Sequence, residues 1–388
     1  MSKPQLVQYR RPSNGRARAI IVTAGLLLVA GCSDSNKAST DSTVSSGVAM
    51  AAVDSMTPDT MTAPGGPTRA EPQMQAVLDQ LTALGGKPME TLPPEEARKQ
   101  PTPAAAAGMV AAKAGKDTTP TKLVPGVTSV DRTIPGPAGP LPARIYTPEG
   151  TGPFPVVVYY HGGGWVIANK QVYDGGARSL AKCGNAVVVS VDYRLAPEHK
   201  FPAQHEDALA TYRWAVKNAA SIKGDPARMA LAGESAGGNL AVATAVAARD
   251  AGLPMPKAVI SIYPIAQPDT STSSYVENAN AKPLSRAMMG WFAKHTVRTP
   301  ADLQDSRINL VKANLNGLPP VTIINAQIDP LRDDGAMLEQ ALKAANVAVE
   351  RKLYVGVAHE FFGMGAVIDK AKDAEQYAGD RLKAAFGK

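Results

Sequence analysis

Cysteine is nearly absent: Cys32 and Cys183 are the only two in 388 residues. At most one internal disulfide can form, and none if Cys32 is otherwise engaged, so a small disulfide-stapled scaffold is excluded. Acidic residues are missing from positions 1 to 32, which carry Lys3, Arg10, Arg11, Arg16 and Arg18. Five of the seven net positive charges therefore sit there, and the rest of the chain carries +2. So nearly neutral a body offers no basic footprint to nucleic acid or another polyanion. The apolar run that follows the basic opening, residues 19–31, has the length of a signal-peptide core and is too short to span a bilayer. H-E-x-x-H, a C-x-x-C pair and a phosphate loop are all lacking, so neither a metal nor an organic cofactor is expected. What is present is an ordinary globular balance, 44% hydrophobic and 19% charged, enough to build a sizeable core.

The apolar run ends in Leu28-Val29-Ala30-Gly31-Cys32. Small residues before a cysteine at this point resemble the lipobox of bacterial lipoproteins. The resemblance implies cleavage before Cys32, lipidation of Cys32, and a bilayer as partner. Arg10-Arg11 lacks the apolar residues expected after a twin-arginine signal, which favours general secretion. An ordinary secretory signal or an uncleaved anchor is the alternative. Residues 32–69, rich in Ser, Thr, Asp, Pro and Met without periodicity, read as a flexible tether. The expected location is the cell envelope: in a Gram-negative cell, the outer membrane, facing the periplasm or the surface. Cys183 reads as a small buried residue rather than a reactive thiol.

Beyond the tether, Met74, Val77, Leu78, Leu81 and Leu84 recur at helical spacing and stop at Gly85-Gly86. Residues 92–119 suggest a further helix or two. Residues 144–148 read as a strand, and 155–160 and 186–191 are unbroken apolar runs that suit strands covered on both faces. Helix-compatible stretches at 203–220, 235–249, 333–345 and 369–386 alternate with strand-like ones at 228–232, 258–262, 321–326 and 349–354. The alternation predicts an α/β fold with a mostly parallel sheet and helices on both faces.

The chemistry gathers around Gly233-Glu234-Ser235-Ala236-Gly237-Gly238. Arg228 to Ala232 reads as a buried strand and Asn239 onward as a helix, so the glycines allow a sharp turn that exposes the serine hydroxyl. Alone, G-x-S-x-G is a weak signal. His161-Gly162-Gly163-Gly164-Trp165, directly after the 155–160 strand, is far more specific. Successive glycines let backbone N–H groups turn inward, where they stabilise charge developing on a carbonyl oxygen under attack. A serine hydroxyl needs a base. Of five histidines, His199 and His205 fall in a Pro-rich connection and His295 in a helical stretch, whereas His359 follows a late strand in a glycine-bearing loop. Asp329, just after the 321–326 strand, is placed to orient that imidazole. Asp333 and Asp334 are rivals that read as the start of the next helix, where acids suit the dipole.

The order Ser235, Asp329, His359 is that of α/β-hydrolases. Together with the His161 turn, Asp192-Tyr193-Arg194-Leu195-Ala196-Pro197-Glu198 and Asp329-Pro330-Leu331, it resembles the bacterial hormone-sensitive lipase family of esterases, from about Glu71 to the C-terminus. That resemblance implies amides of Gly163, Gly164 and Ala236 as oxyanion donors, with His161 and Gly162 supporting the turn and the 192–198 block bracing it from beneath. It also implies helical cap elements at about 70–118 and 275–300 over an acyl pocket; independently, Leu284, Met288, Trp291 and Phe292 make an apolar helical face suited to core packing or to acyl contact. The implied activity is two-step hydrolysis of short- to medium-chain esters. Glu234 stands where the family has aspartate at least as often, and no mechanistic weight attaches to it at this level. Amide or peptide hydrolysis by the same triad, or a catalytically silent binding protein on the same fold, are the alternatives.

Overall fold

A computed structural model describes residues 69–387. The basic opening, the apolar run, Cys32 and the polar segment to residue 68 lie outside the described residues. Helices α1 (Pro72–Ala83), α2 (Pro94–Ala97), α3 (Pro103–Lys113) and α4 (Pro120–Leu123) come first. The hairpin strands β1 (Val127–Gly136) and β2 (Gly139–Pro148) follow. Strands and helices then alternate: β3 (Phe154–Tyr160), α5 (Asp174–Gly184), β4 (Val187–Val191), α6 (Ala203–Asn218), β5 (Gly224–Glu234), α7 (Ala236–Asp250) and β6 (Val259–Ile262). An excursion of α8 (Ser273–Glu277) and α9 (Arg286–Thr296) precedes β7 (Val321–Ile328), α10 (Arg332–Ala344), β8 (Val349–Ala358) and α11 (Asp369–Ala385).

The strands form one sheet in the order β1-β2-β4-β3-β5-β6-β7-β8. The β1/β2 and β2/β4 pairs are antiparallel and all others parallel. The apolar run of β3 shows why the strands are continuous rather than alternating. Val156, Val158 and Tyr160 join one core, Val157 and Tyr159 the core on the opposite face, and all five are fully buried. Because side chains alternate across a strand, a sheet covered on both faces demands apolar residues at every position.

From β3 the chain crosses to β4 on one side and later to β5 on the other, so strand order reverses between β3 and β5. Crevices at the carboxyl ends of strands flanking such a reversal are where open α/β sheets bind ligands. The oxyanion-type turn leaves β3 there, and the serine turn leaves β5.

Three elements differ from the sequence expectation. Strand β1 was not expected: Val127 and Ile134 are its only buried residues, so it carries no apolar run. As an edge strand it is specified by backbone pairing to β2, from Val127–Pro148 to Gly136–Gly139. Helix α5 was hidden by its opening Asp174-Gly175-Gly176. The glycines are there because backbone and side chains of neighbouring segments press on them: a Cβ on Gly175 would strike the Gly363 carbonyl. Finally, His205 is not in a loop but buried in α6, with its Nε2 3.1 Å from the Asn239 Oδ1. Burial pushes its pKa down to about 4, so it packs as a neutral ring. Among the described residues no helix is long and apolar enough to cross a membrane.

Candidate active site

Strand register assembles the site. Gly233 of β5 lies beside Tyr160 of β3, which puts the serine turn next to the His161 turn. Ile328 of β7 pairs with Ala358 of β8, so the next residue on each strand, Asp329 and His359, emerge side by side. β8 runs to Ala358, past the expected end at Tyr354, and that extension delivers the histidine.

Ser235 sits between β5 and α7 with φ 58° and ψ −117°, a left-handed backbone unusual for a residue with a side chain. Its N–H donates to the Ile262 carbonyl at 2.8 Å, anchoring the turn to β6. The backbone after the serine passes so close to β3 that a Cβ on Gly237 would collide with the Tyr160 carbonyl oxygen. His359 Nδ1 is 2.7 Å from Asp329 Oδ2, while the Leu331 N–H donates to the other Asp329 oxygen at 2.8 Å. Asp329 is fully buried and His359 only 2% exposed. Burial alone would depress the imidazole pKa, but the charge and hydrogen bond of Asp329, helped by Glu360, outweigh it and leave His359 above its ordinary value. Among the described residues the Ser235 hydroxyl makes no hydrogen bond; contacts of this kind often tighten only when substrate closes the site.

Gly163 and Gly164 have φ 95° and 58°, conformations glycine adopts readily, and both line the crevice. Their N–H groups, and that of Ala236 at the start of α7, donate to no other group in the described chain. His161 is buried; its Nδ1 lies 2.8 Å from the Gly162 carbonyl and its ring stacks on Tyr193 at 4.2 Å. The Tyr193 hydroxyl donates to the His161 carbonyl at 2.8 Å. Lys170 donates from both its amide and its ammonium group to Asp192 at 2.6 Å, and Arg194 is held by Asp207. The 192–198 block thus packs against the turn through Tyr193, and Asp192, Tyr193 and Leu195 line the cavity.

Ser235, His359, Gly163 and Gly164 line one cavity of about 720 Å³. Leu81 of α1, Met89, Leu195, Leu284, and Met288 and Phe292 of α9 supply its apolar wall. The two helical segments on either side are tied together: the Trp291 indole of α9 donates to the Leu92 carbonyl at 3.0 Å.

Three acids of the site make contacts that the sequence reading did not give them. Glu234 is fully enclosed, receiving the Tyr159 and Tyr263 hydroxyls. Burial, with Glu360 nearby, pushes its pKa well above the usual carboxylate range. Glu360 receives the Tyr173 hydroxyl and comes within 4.0 Å of His359 Nε2. Asp334 does open α10 as its position suggests, but it is buried and accepts the amides of Ala266 and Gln267 and the Gln267 side chain, fixing the loop after β6. The available signal was an acid next to the serine and an acid next to the histidine, in otherwise apolar surroundings; their partners lie 75 and 187 positions away.

A family model for the alpha/beta hydrolase fold matches residues 157–363, more than half of the chain. The carboxylesterase NlhH of Mycobacterium tuberculosis is 40% identical over 263 residues, covering 66% of this chain and 82% of the relative. An ethyl acetate hydrolase of Pseudomonas putida is 32% identical over 313 residues, covering 78% and 95%. Among solved structures, the hyperthermophilic esterase of Pyrobaculum calidifontis superposes with a TM-score of 0.73 at 34% identity, covering 81% of this chain and 98% of that one. An ester hydrolase from the metagenome of Lake Arreo, solved with a bipyridine phosphonate derivative, gives 0.72 at 34% identity, covering 82% and 100%. With its sheet order, its serine turn and these relatives, the chain belongs to the alpha/beta hydrolase family and is a carboxylic ester hydrolase of the hormone-sensitive lipase type.

Proposed function

We propose that the chain is a serine carboxylesterase in which Ser235, His359 and Asp329 form the triad. The observation that carries this reading is the short Asp329–His359 bond opening onto the same cavity as Ser235, beneath three unpartnered amides. His359 removes the hydroxyl proton as Ser235 attacks the ester carbonyl, and Asp329 holds the imidazole tautomer and stabilises its charged form. The tetrahedral oxyanion accepts the Gly163, Gly164 and Ala236 amides; losing one such donor typically costs about 3 to 4 kcal/mol of transition-state stabilisation. The alcohol leaves with the proton from His359. Water, activated by the same imidazole, then attacks the acyl-enzyme and frees the acid.

A cavity of about 720 Å³ with a largely aliphatic wall suits short- to medium-chain acyl groups, and the ethyl acetate hydrolase among the relatives points the same way. The segments flanking the cavity, α1 to α3 and α8 to α9, serve as its cap. We further propose that the chain is exported and held at the cell envelope through acylated Cys32, with residues 32–69 as tether; the Leu28 to Cys32 pattern supports this.

The test is direct. Ser235→Ala should retain the fold but lose hydrolysis of short-chain aryl esters by about 10³-fold or more. The native enzyme should be covalently labelled by an organophosphonate and the variant should not. Undiminished turnover, or equal labelling, would sink the assignment.

A further inference from the structure

Glu360 directly follows the base in sequence and has φ 69°, a left-handed backbone that a glutamate adopts only at an energetic cost. Something must hold it there. Its carboxylate accepts the hydroxyl of Tyr173, the residue that precedes α5. That hydroxyl in turn abuts the oxyanion turn: a Cβ on Gly162 would run into it. The same carboxylate oxygen, Oε1, lies 4.0 Å from His359 Nε2, the nitrogen opposite the Asp329 bond. One short bridge therefore spans the two halves of the proposed machinery, the turn after β3 and the loop after β8.

We propose that Glu360 is a positioning residue of the ester-hydrolysis reaction: its carboxylate, pinned by Tyr173 against the oxyanion turn, faces the Nε2 edge of His359 and stabilises the imidazolium that forms when Ser235 is deprotonated. This rests on the reading of His359 as the general base. The imidazolium then lies between two carboxylates, Asp329 fixing its orientation from Nδ1 and Glu360 acting through space. Two unit charges about 4 Å apart interact strongly even at the effective dielectric of a partly wet site.

The groups around the pair do not duplicate this role. Glu234, at the end of β5, is pushed by burial well above the usual carboxylate range and accepts the Tyr159 and Tyr263 hydroxyls. Tyr263, after β6, packs on the imidazole at 4.5 Å between ring centres, and burial raises its hydroxyl far out of the working range. His161 and Tyr193, from the oxyanion side, are neutral through burial. The outer side of Glu360 adjoins a second cavity of about 770 Å³, whose charged lining includes Lys116, Lys182, Lys372 and Glu375. The Glu360 side chain keeps 19% of its surface exposed; burial raises its pKa, while His359 and the Tyr173 hydroxyl favour its charged form. Tyr173 and Glu360 line both cavities and form part of the partition between them.

The experiment is the pH profile of kcat/KM on a short-chain aryl ester, using the full chain, for wild type, Glu360→Gln, Tyr173→Phe and His359→Gln. Glutamine keeps the shape and still accepts the Tyr173 hydroxyl but carries no charge. Glu360→Gln should move the acid limb down by about 0.5 to 1 pH unit and lower kcat about three- to tenfold, with KM little changed. Tyr173→Phe removes a bond that favours the charged carboxylate, so its limb should move in the same direction by less. An acid limb unmoved in a folded Glu360→Gln enzyme overturns the proposal even if kcat falls, because a purely structural role would not require the charge. Activity retained in His359→Gln overturns the base reading and this inference together; activity lost there, with an unmoved Glu360→Gln profile, overturns this inference alone.

Discussion

At the residue scale, the electrostatics of His359 fix the expected pH dependence. A general base must be neutral to act, and Asp329 raises the imidazole pKa above its ordinary value. Activity should therefore fall on acidification with a midpoint above 6.5, and a profile flat between pH 5 and 8 would contradict the base role. Asp329→Asn should lower kcat about 10⁴-fold, since an amide can present N–H to Nδ1 and leave the wrong tautomer facing the serine. Any residual acid limb should lie about one unit or more lower, because the charge that raised it is gone. Stopped-flow or steady-state rates across that range check both statements. Ser235, His359 and Asp329 were legible as residue types in the right chain order. Glu360 and Tyr173 were not, because their significance is a contact between segments 187 positions apart.

At the scale of elements, α2 shows how an exposed helix becomes part of a site. Arg98, which closes it, makes a two-pronged ion pair with Glu198 at 2.7 and 2.8 Å. Glu198 is half exposed, so that pair contributes little by itself. The same guanidinium also donates to the Val166 carbonyl at 2.9 Å and the Ala196 carbonyl at 2.8 Å, tying the N-terminal segment to the stretch just after the oxyanion turn. Charge-assisted bonds to partly buried carbonyls are worth about 1.5 to 3 kcal/mol each, so these dominate. Arg98→Ala should loosen the cavity wall formed by the 88–103 segment and raise KM about three- to tenfold while kcat changes little. Michaelis–Menten analysis decides it: unchanged KM would reduce Arg98 to a surface residue.

The helices and strands that face the core were readable from periodicity, as with Met74 and Val77 of α1 or the continuous runs of β3 and β4. Those specified by a neighbour were not. Strand β1 has almost no apolar residues to announce it and exists because β2 offers it a ladder. Helix α5 begins with two glycines that oppose helix formation on propensity alone, and is recovered by packing its Ala177, Leu180 and Ala181 into the core. Asp334 looked like a dipole-favouring acid and is also the anchor of the loop after β6, a function visible only once Ala266 and Gln267 are seen beside it.

For the whole molecule, the two ends of the sequence carry separate instructions. The described part, from residue 69, contains everything the proposed chemistry needs. On the proposed reading, the first 32 residues concern location. If Cys32 is the attachment point, metabolic labelling with a fatty acid should mark the wild-type protein and leave Cys32→Ala unmarked; equal labelling would dismiss the anchor. Cys183 does not substitute for it as a reactive thiol, because burial in α5 pushes its pKa up to about 11.

The sequence by itself determined the sheet's buried strands, the serine and glycine turns and the chain order of Ser235, Asp329 and His359. Each of these is a local matter: apolar periodicity, the φ freedom of glycine, and residue type at the carboxyl end of a strand. Only the tertiary structure decided which groups stand next to which. Register between β7 and β8 made Asp329 and His359 neighbours, strand order brought the His161–Trp165 turn to the serine, and packing of α5 carried Tyr173 to Glu360. Burial raised the pKa of Glu234, and the Asp329 carboxylate, against burial, raised that of His359. A side chain's solvation and partners are properties of the folded surroundings, which no window of sequence contains.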